Sequence, residues 1–183
     1  VGPRAPVVDK LRHFHDHPGF VEPLADAVRT AFAALSPDEA ETTRLVFTAH
    51  SIPLSMNATS GPSGFLYEAQ LRETGRLVAE RSLPRVPWDL AWQSRSGPAH
   101  VPWLEPDILD HLRSLREEGV TDVVVAPIGF VSDHMEVKYD LDHDARARAE
   151  ALGLNLVRAG TAGGHPRFVS MVRELVVERL RGD

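Results

Sequence analysis

Directly after an apolar, β-branched run at 123–125 and a Pro-Ile-Gly break, the chain places Asp133, His134, Glu136, Asp140, Asp142, His143 and Asp144 close together. A buried strand that ends in a loop of acids and imidazoles is a common way for an α/β protein to build a site. Glu136, Asp140 and Asp144 are spaced i, i+4, i+8, so a helix holds them as a row along one side. Such a row repels itself and costs stability unless cations, protons or partners relieve it. His50 ends another apolar run, 45–49. A strand-end imidazole facing a strand-end carboxylate makes a divalent-metal or proton-transfer pair. The competing account is structural: His50 caps a turn, Glu136 favours a helix N-terminus, and the acids form a solvated face. On spacing alone that account is the better one.

Other candidates carry weaker signals. Arg95, in Trp92-Gln93-Ser94-Arg95-Ser96-Gly97-Pro98, could hold a carboxylate or phosphate at the mouth of the same cleft, or be a plain surface arginine. Ser51 lies beside His50, but adjacent residues at a strand end point apart, so the two are not a nucleophile and its base. His13, His15 and His17 alternate, which in an extended segment sets all three on one side; packing or solvation explains them better than a metal. Gly163-Gly164-His165-Pro166 lacks both the dinucleotide fingerprint and the phosphate-loop lysine. No H-E-x-x-H, C-x-x-C or G-x-S-x-G string occurs, so zincin, thiolate and hydrolase-elbow chemistry lack support.

The elements that must position these residues follow from periodicity. The first 19 residues are Pro-rich and read as an extended lead-in, and 20–183 as the domain proper. Helices are expected at 20–35, ended by Ser36-Pro37, and then at about 62–81, 106–118, 136–152 and 165–181. Strands are expected at 45–49, 88–92, 121–127 and 154–158, with 54–64 a loop. That alternation implies an α/β, Rossmann-like or flavodoxin-like three-layer domain around a four-stranded parallel sheet. His50, the 93–95 stretch and the 129–136 loop all fall at strand carboxyl ends, where such sheets place ligands, and should converge. Hydrophobic and charged fractions of 43% and 25% are those of a globular domain, and a net charge of −6 argues against nucleic acid as a partner. With no cysteine, the chain can make no disulfide and no thiolate-held iron–sulfur cluster. No apolar run reaches the roughly 20 residues of a spanning helix, and a soluble, cytoplasmic protein is the expectation. The start at Val1 reads as a processed or excised piece.

Five strings stand in order: Thr48-Ala49-His50-Ser51-Ile52-Pro53; Tyr67-Glu68-Ala69-Gln70; Trp92-Gln93-Ser94-Arg95-Ser96-Gly97-Pro98; Trp103-Leu104-Glu105-Pro106; and the stretch from Pro127 through Gly129 to Glu136. Together with the closing His165-Pro166-x-Phe168, they resemble the ferrochelatase family over nearly the whole chain. The match is to the C-terminal half of that family's usual length, which implies a two-domain chelatase fold whose N-terminal domain is absent here. The resemblance further implies insertion of ferrous iron, as substrate, into a porphyrin with release of two protons. It makes His50 and Glu136 the catalytic and metal-binding residues. Asp140 and Asp144, on a helix distorted by a π-type widening, become a path for metal or protons, and Ser51 and Arg95 possible contacts to the porphyrin. The high-GC composition and the Trp-Gln-Ser-Arg variant resemble members that act on coproporphyrin III. A protoporphyrin IX enzyme, a sirohydrochlorin-type chelatase and a non-catalytic haem- or metal-binding module are the alternatives.

Overall fold

The structure, a computed structural model, describes residues 6, 8–35 and 42–182; the Ser36-Pro37 break lies outside them. Four short apolar runs form the strands β1 (Thr43–His50), β2 (Trp88–Gln93), β3 (Asp122–Ala126) and β4 (Asn155–Arg158). They pair in parallel in the order β2-β1-β3-β4. This order matches the first four strands of the flavodoxin-like arrangement, and it reverses direction between β1 and β3. Every residue of β3 is buried, as a strand covered on both faces requires.

Helices α1 (Pro18–Ala33), α3 (Leu66–Ser82) and α7 (Pro166–Arg181) cover one face. They close a core around Leu24, Leu45, Phe47, Val78, Val124 and Met171. The other face carries α4 (Ile108–Glu117) and one long helix in three parts. That helix begins as α5 (Met135–Val137), widens into a π-helical segment (Lys138–Ala145) and finishes as α6 (Arg146–Leu152). It closes the second core with Val46, Leu112, Val125, Val137, Leu141 and Ala149.

Several boundaries differ from the sequence expectation. The 54–64 stretch contains a short helix, α2 (Leu54–Ala58). The next helix starts only at Leu66, because Phe65 sits in the left-handed region at φ 58°. The helix expected from residue 106 starts at Ile108, where Asp107 accepts a hydrogen bond from the Leu109 N–H at 2.8 Å and so caps the orphan donors of the first turn. Residues 8–17 form no helix or strand, yet Leu11 and Phe14 pack on the first core. Phe14 meets Phe20 and Phe168 edge-on, with ring centroids 5.2 and 5.9 Å away. Aromatic spacing outside a helical period carried no signal for that packing.

Candidate functional site

Side chains alternate along a strand. Val46, Ala91 and Leu156 belong to the second core, so His50, Gln93 and Arg158, each an even number of positions further on, face the three-part helix as well. In the parallel register His50 lies opposite Gln93. The chain leaving β3 must then cross close to β1. The Gly129 N–H donates to Thr48 O at 3.1 Å. A Cβ at position 129 would stand 2.5 Å from Ala49 Cβ and 2.7 Å from Ala49 Cα. Glycine is what permits this approach, and the approach carries Glu136 over the end of β1.

There His50 Nε2 lies 3.4 Å from Glu136 Oε1, with both side chains partly exposed. The other ring nitrogen, Nδ1, is 2.5 Å from Ser51 O. A carbonyl oxygen only accepts, so Nδ1 carries a hydrogen and Nε2 is the ring atom left to face Glu136. Two donors each about 2.1 Å from a tetrahedral metal ion stand about 3.4 Å apart, so the pair can hold a metal or share a proton. Among the described residues, no group of three or more His, Asp or Glu side chains is gathered to hold a metal ion. Behind the pair, the Tyr67 hydroxyl donates to His50 O at 2.8 Å, and its ring stacks on Trp92. Burial pushes the Tyr67 phenol up to about 12, which keeps it a donor.

The acidic row continues along the widened helix. The Arg146 N–H reaches Leu141 O, five residues back, as π geometry requires. In an α-helix positions four apart drift by about 40° per step, and the wider turn takes up that drift. Asp140 accepts from Gln93 Nε2 at 3.2 Å and from Ser94 Oγ. Ser94 reaches it from the left-handed region at φ 62°. Asp140 and Asp144 border a cavity of about 160 Å³ with Gln93, Ser94, Arg95 and Asp107. Burial, reinforced by Asp110 and Asp140, holds the Asp107 carboxyl above the usual carboxylate range despite its bond from Leu109. Asp144 also meets the ring of its neighbour, His143 Nδ1, at 2.8 Å. Asp142 turns the other way, onto Arg158.

The structure thus pairs His50 with Glu136 and sets Asp140 and Asp144 around a neighbouring cavity with the 93–95 stretch. Arg95 rims the cavity, but its Nη2 donates to the carbonyls of Ala99 and Val101. Ser51 is buried, and its hydroxyl donates to Leu104 O at 2.8 Å. Of the three early histidines, His13 Nδ1 pairs with Gln70 Oε1, His15 Nδ1 is buried and meets no hydrogen-bond partner among the described residues, and His17 accepts from the Gly19 N–H and caps α1. His165 caps α7 in the same way, accepting from the Arg167 N–H. The anchoring by Gln93 and Ser94, the Tyr67 contact and the Arg158 pairing were not read from the sequence; strand parity was the signal that could have found Gln93 and Arg158.

Comparison with known proteins settles the lineage. The sequence model of the family described as ferrochelatase matches residues 2–180. This chain belongs to the ferrochelatase family. It is 50% identical to the coproporphyrin III ferrochelatase of Nocardia farcinica, covering 100% of this chain and 52% of that protein. It is 49% identical to the coproporphyrin III ferrochelatase of Streptomyces coelicolor, over 97% of this chain and 50% of the relative. For that of Frankia alni the identity is 54%, over 94% and 46%. The chain spans about half the length of these curated relatives. Among solved structures it overlaps a multi-domain Deinococcus radiodurans protein with structural similarity to chelatases, at TM-score 0.49 and 16% identity, over 86% of this chain and 29% of that one. No helix among the described residues is long and apolar enough to cross a membrane, and this family member, having no cysteine, supplies no thiolate ligand.

Proposed function

We propose that residues 20–183 are the C-terminal domain of a coproporphyrin III ferrochelatase of the cytoplasm, with 1–19 leading in from an N-terminal domain. The observation that carries this reading is the His50–Glu136 pair, 3.4 Å apart at the carboxyl edge of a parallel sheet, at the head of a carboxylate row. The reaction exchanges two porphyrin N–H protons for one ferrous ion, so the site must accept protons while it delivers metal. In its neutral form His50 accepts a proton at Nε2, and the adjacent Glu136 carboxylate passes it on. Two donors bind a divalent ion without closing its coordination shell, which suits an ion that must be handed over. Asp140 and Asp144 then form the path for hydrated metal or released protons, and Arg95 and Ser51 border the porphyrin cleft.

The test is metal insertion followed by the visible spectrum, with residues 1–183 placed behind the N-terminal half of the Nocardia relative. His50→Ala and Glu136→Gln should each lower the rate by about 10²- to 10⁴-fold, the range of a positioned acid–base group, while Asp144→Asn only slows it. Wild-type rates in both of the first two variants would refute the site. Rates on coproporphyrin III, protoporphyrin IX and sirohydrochlorin separate the substrate classes. Stoichiometric porphyrin binding without turnover would mark a non-catalytic module. Residues 1–183 alone should insert iron poorly, and brisk turnover by them would refute the two-domain account.

A further inference from the structure

A π-helical segment is rare, and it recurs at functional sites because something other than backbone propensity holds it. Here the holding groups sit on the two edge strands of the sheet. Asp140 is gripped by Gln93 at the end of β2 and by Ser94 just past it. Asp142, two residues on, is gripped from β4 by Arg158, whose Nε and Nη2 donate to its two carboxylate oxygens at 2.5 and 3.0 Å. The remaining arm of the same guanidinium, Nη1, donates to Asp133 Oδ1 at 2.9 Å and to Ala159 O at 3.2 Å. Arg158 is therefore bound on both sides of Glu136, to the loop three residues before it and to the widened turn six residues after it. Its side chain is only 14% exposed. Burial works against the guanidinium charge, but Asp142 and Asp133 outweigh it and leave the group more firmly protonated than usual.

We infer that Arg158 is a positioning residue: its simultaneous hold on Asp133 and Asp142 brackets Glu136 and fixes that carboxylate at metal-sharing distance from His50. This inference rests on the reading of His50 and Glu136 as the metal-handling pair. A planar fork suits the task, since two parallel bonds to Asp142 and a third to Asp133 fix orientation as well as distance. Lysine, a point charge on a flexible stem, cannot hold both partners in that geometry.

The experiment is a titration of residues 1–183 with Zn²⁺ alone, read by calorimetry, for the wild type and a small set of variants. Arg158→Gln and Asp142→Asn should weaken binding about 10- to 100-fold, the usual effect of losing a group that orients a ligand, and Arg158→Lys should fall between them and the wild type. Arg44→Gln is the control. Arg44 pairs with Asp89 at 3.0 Å and Glu118 at 3.1 Å, far from the pair, so its loss should lower stability and leave Zn²⁺ affinity unchanged. An Arg158→Gln protein that fails to fold leaves Asp142→Asn and Asp133→Asn, each of which removes one arm of the bracket, to decide the matter. If His50→Ala abolishes binding but neither Asp142→Asn nor Arg158→Gln weakens it, the bracket is wrong and the metal pair stands. If His50→Ala binds like the wild type, the pair and the bracket fall together.

Discussion

Replacing Gly129 with alanine tests how the site is assembled, through a single methyl group. The added Cβ would lie 2.5 Å from Ala49 Cβ and 2.7 Å from Ala49 Cα. Carbon atoms rest at about 3.5–4.0 Å, so the loop after β3 must retreat from β1 by about 1 Å. It cannot do so freely, because the Gly129 N–H is bonded to Thr48 O at 3.1 Å; stretching that bond forfeits part of its ~0.5–1.5 kcal/mol. Overpacking of this kind costs about 1–3 kcal/mol, which for a chain of this size lowers Tm by about 2–12 °C. The retreat also carries Glu136 away from His50, and a 1 Å misplacement at a reacting centre can cost about 10²-fold in rate. Thermal unfolding and the metal-insertion assay on the same protein read the two effects together. Ala49→Gly in the Gly129→Ala background removes the nearer contact and leaves the one to Cα, so rescue should be partial. Wild-type stability in Gly129→Ala, or no rescue by Ala49→Gly, would refute the steric account of how Glu136 reaches β1.

Ser94 separates hydroxyl from backbone. Ser94→Gly relieves a left-handed residue, worth about 1–2 kcal/mol, whereas Ser94→Ala keeps the strain; both lose the bond to Asp140. Chemical denaturation should therefore rank glycine above alanine, while both weaken the hold on Asp140 and slow insertion alike. Tyr67 gives a pH signature. Its folded phenol is raised to about 12 from an ordinary 10.0, so its contribution to stability is complete below about pH 10 and is lost as pH rises from there through about 12. In Tyr139→Phe protein, the tyrosinate absorbance that remains should appear near pH 12 after a rapid pH jump, and absorbance near pH 10 from folded protein would contradict its burial.

The sheet was legible because β3 carries three consecutive valines ahead of a Pro-Ile-Gly break and the helical runs are strongly periodic. The convergence of His50 with the acid-bearing loop followed from the carboxyl-edge rule for parallel sheets. What stayed hidden has physical causes. An i, i+4, i+8 row fits a straight α-helix as well as a widened one, so the π geometry had to come from the family resemblance. Phe65 carries a left-handed turn without being glycine, so the delayed start of α3 left no mark in composition. Arg158 ends a strand of only four residues, where a lone arginine looks like an edge charge. Only the parity shared with Leu156 shows which face it serves, and parity was not applied past the last apolar residue.

The widened turn also bears on what the chain can gain or lose by insertion and deletion. A π turn holds one residue more than an α-helix needs over the same rise, so removing one residue between 138 and 145 would let the segment close into regular helix. Because the wide turn already takes up the extra residue, positions beyond the cut would keep nearly the same facing relative to those before it. With the cut between Leu141 and Ala145, Val137, Leu141, Ala145 and Ala149 would stand at i, i+4, i+7 and i+11, one face of a regular α-helix, so the second core would still close. Loops elsewhere on the molecule can change length at little cost, and by this count the core tolerates the same change here, so the extra residue is kept for the site rather than for the fold.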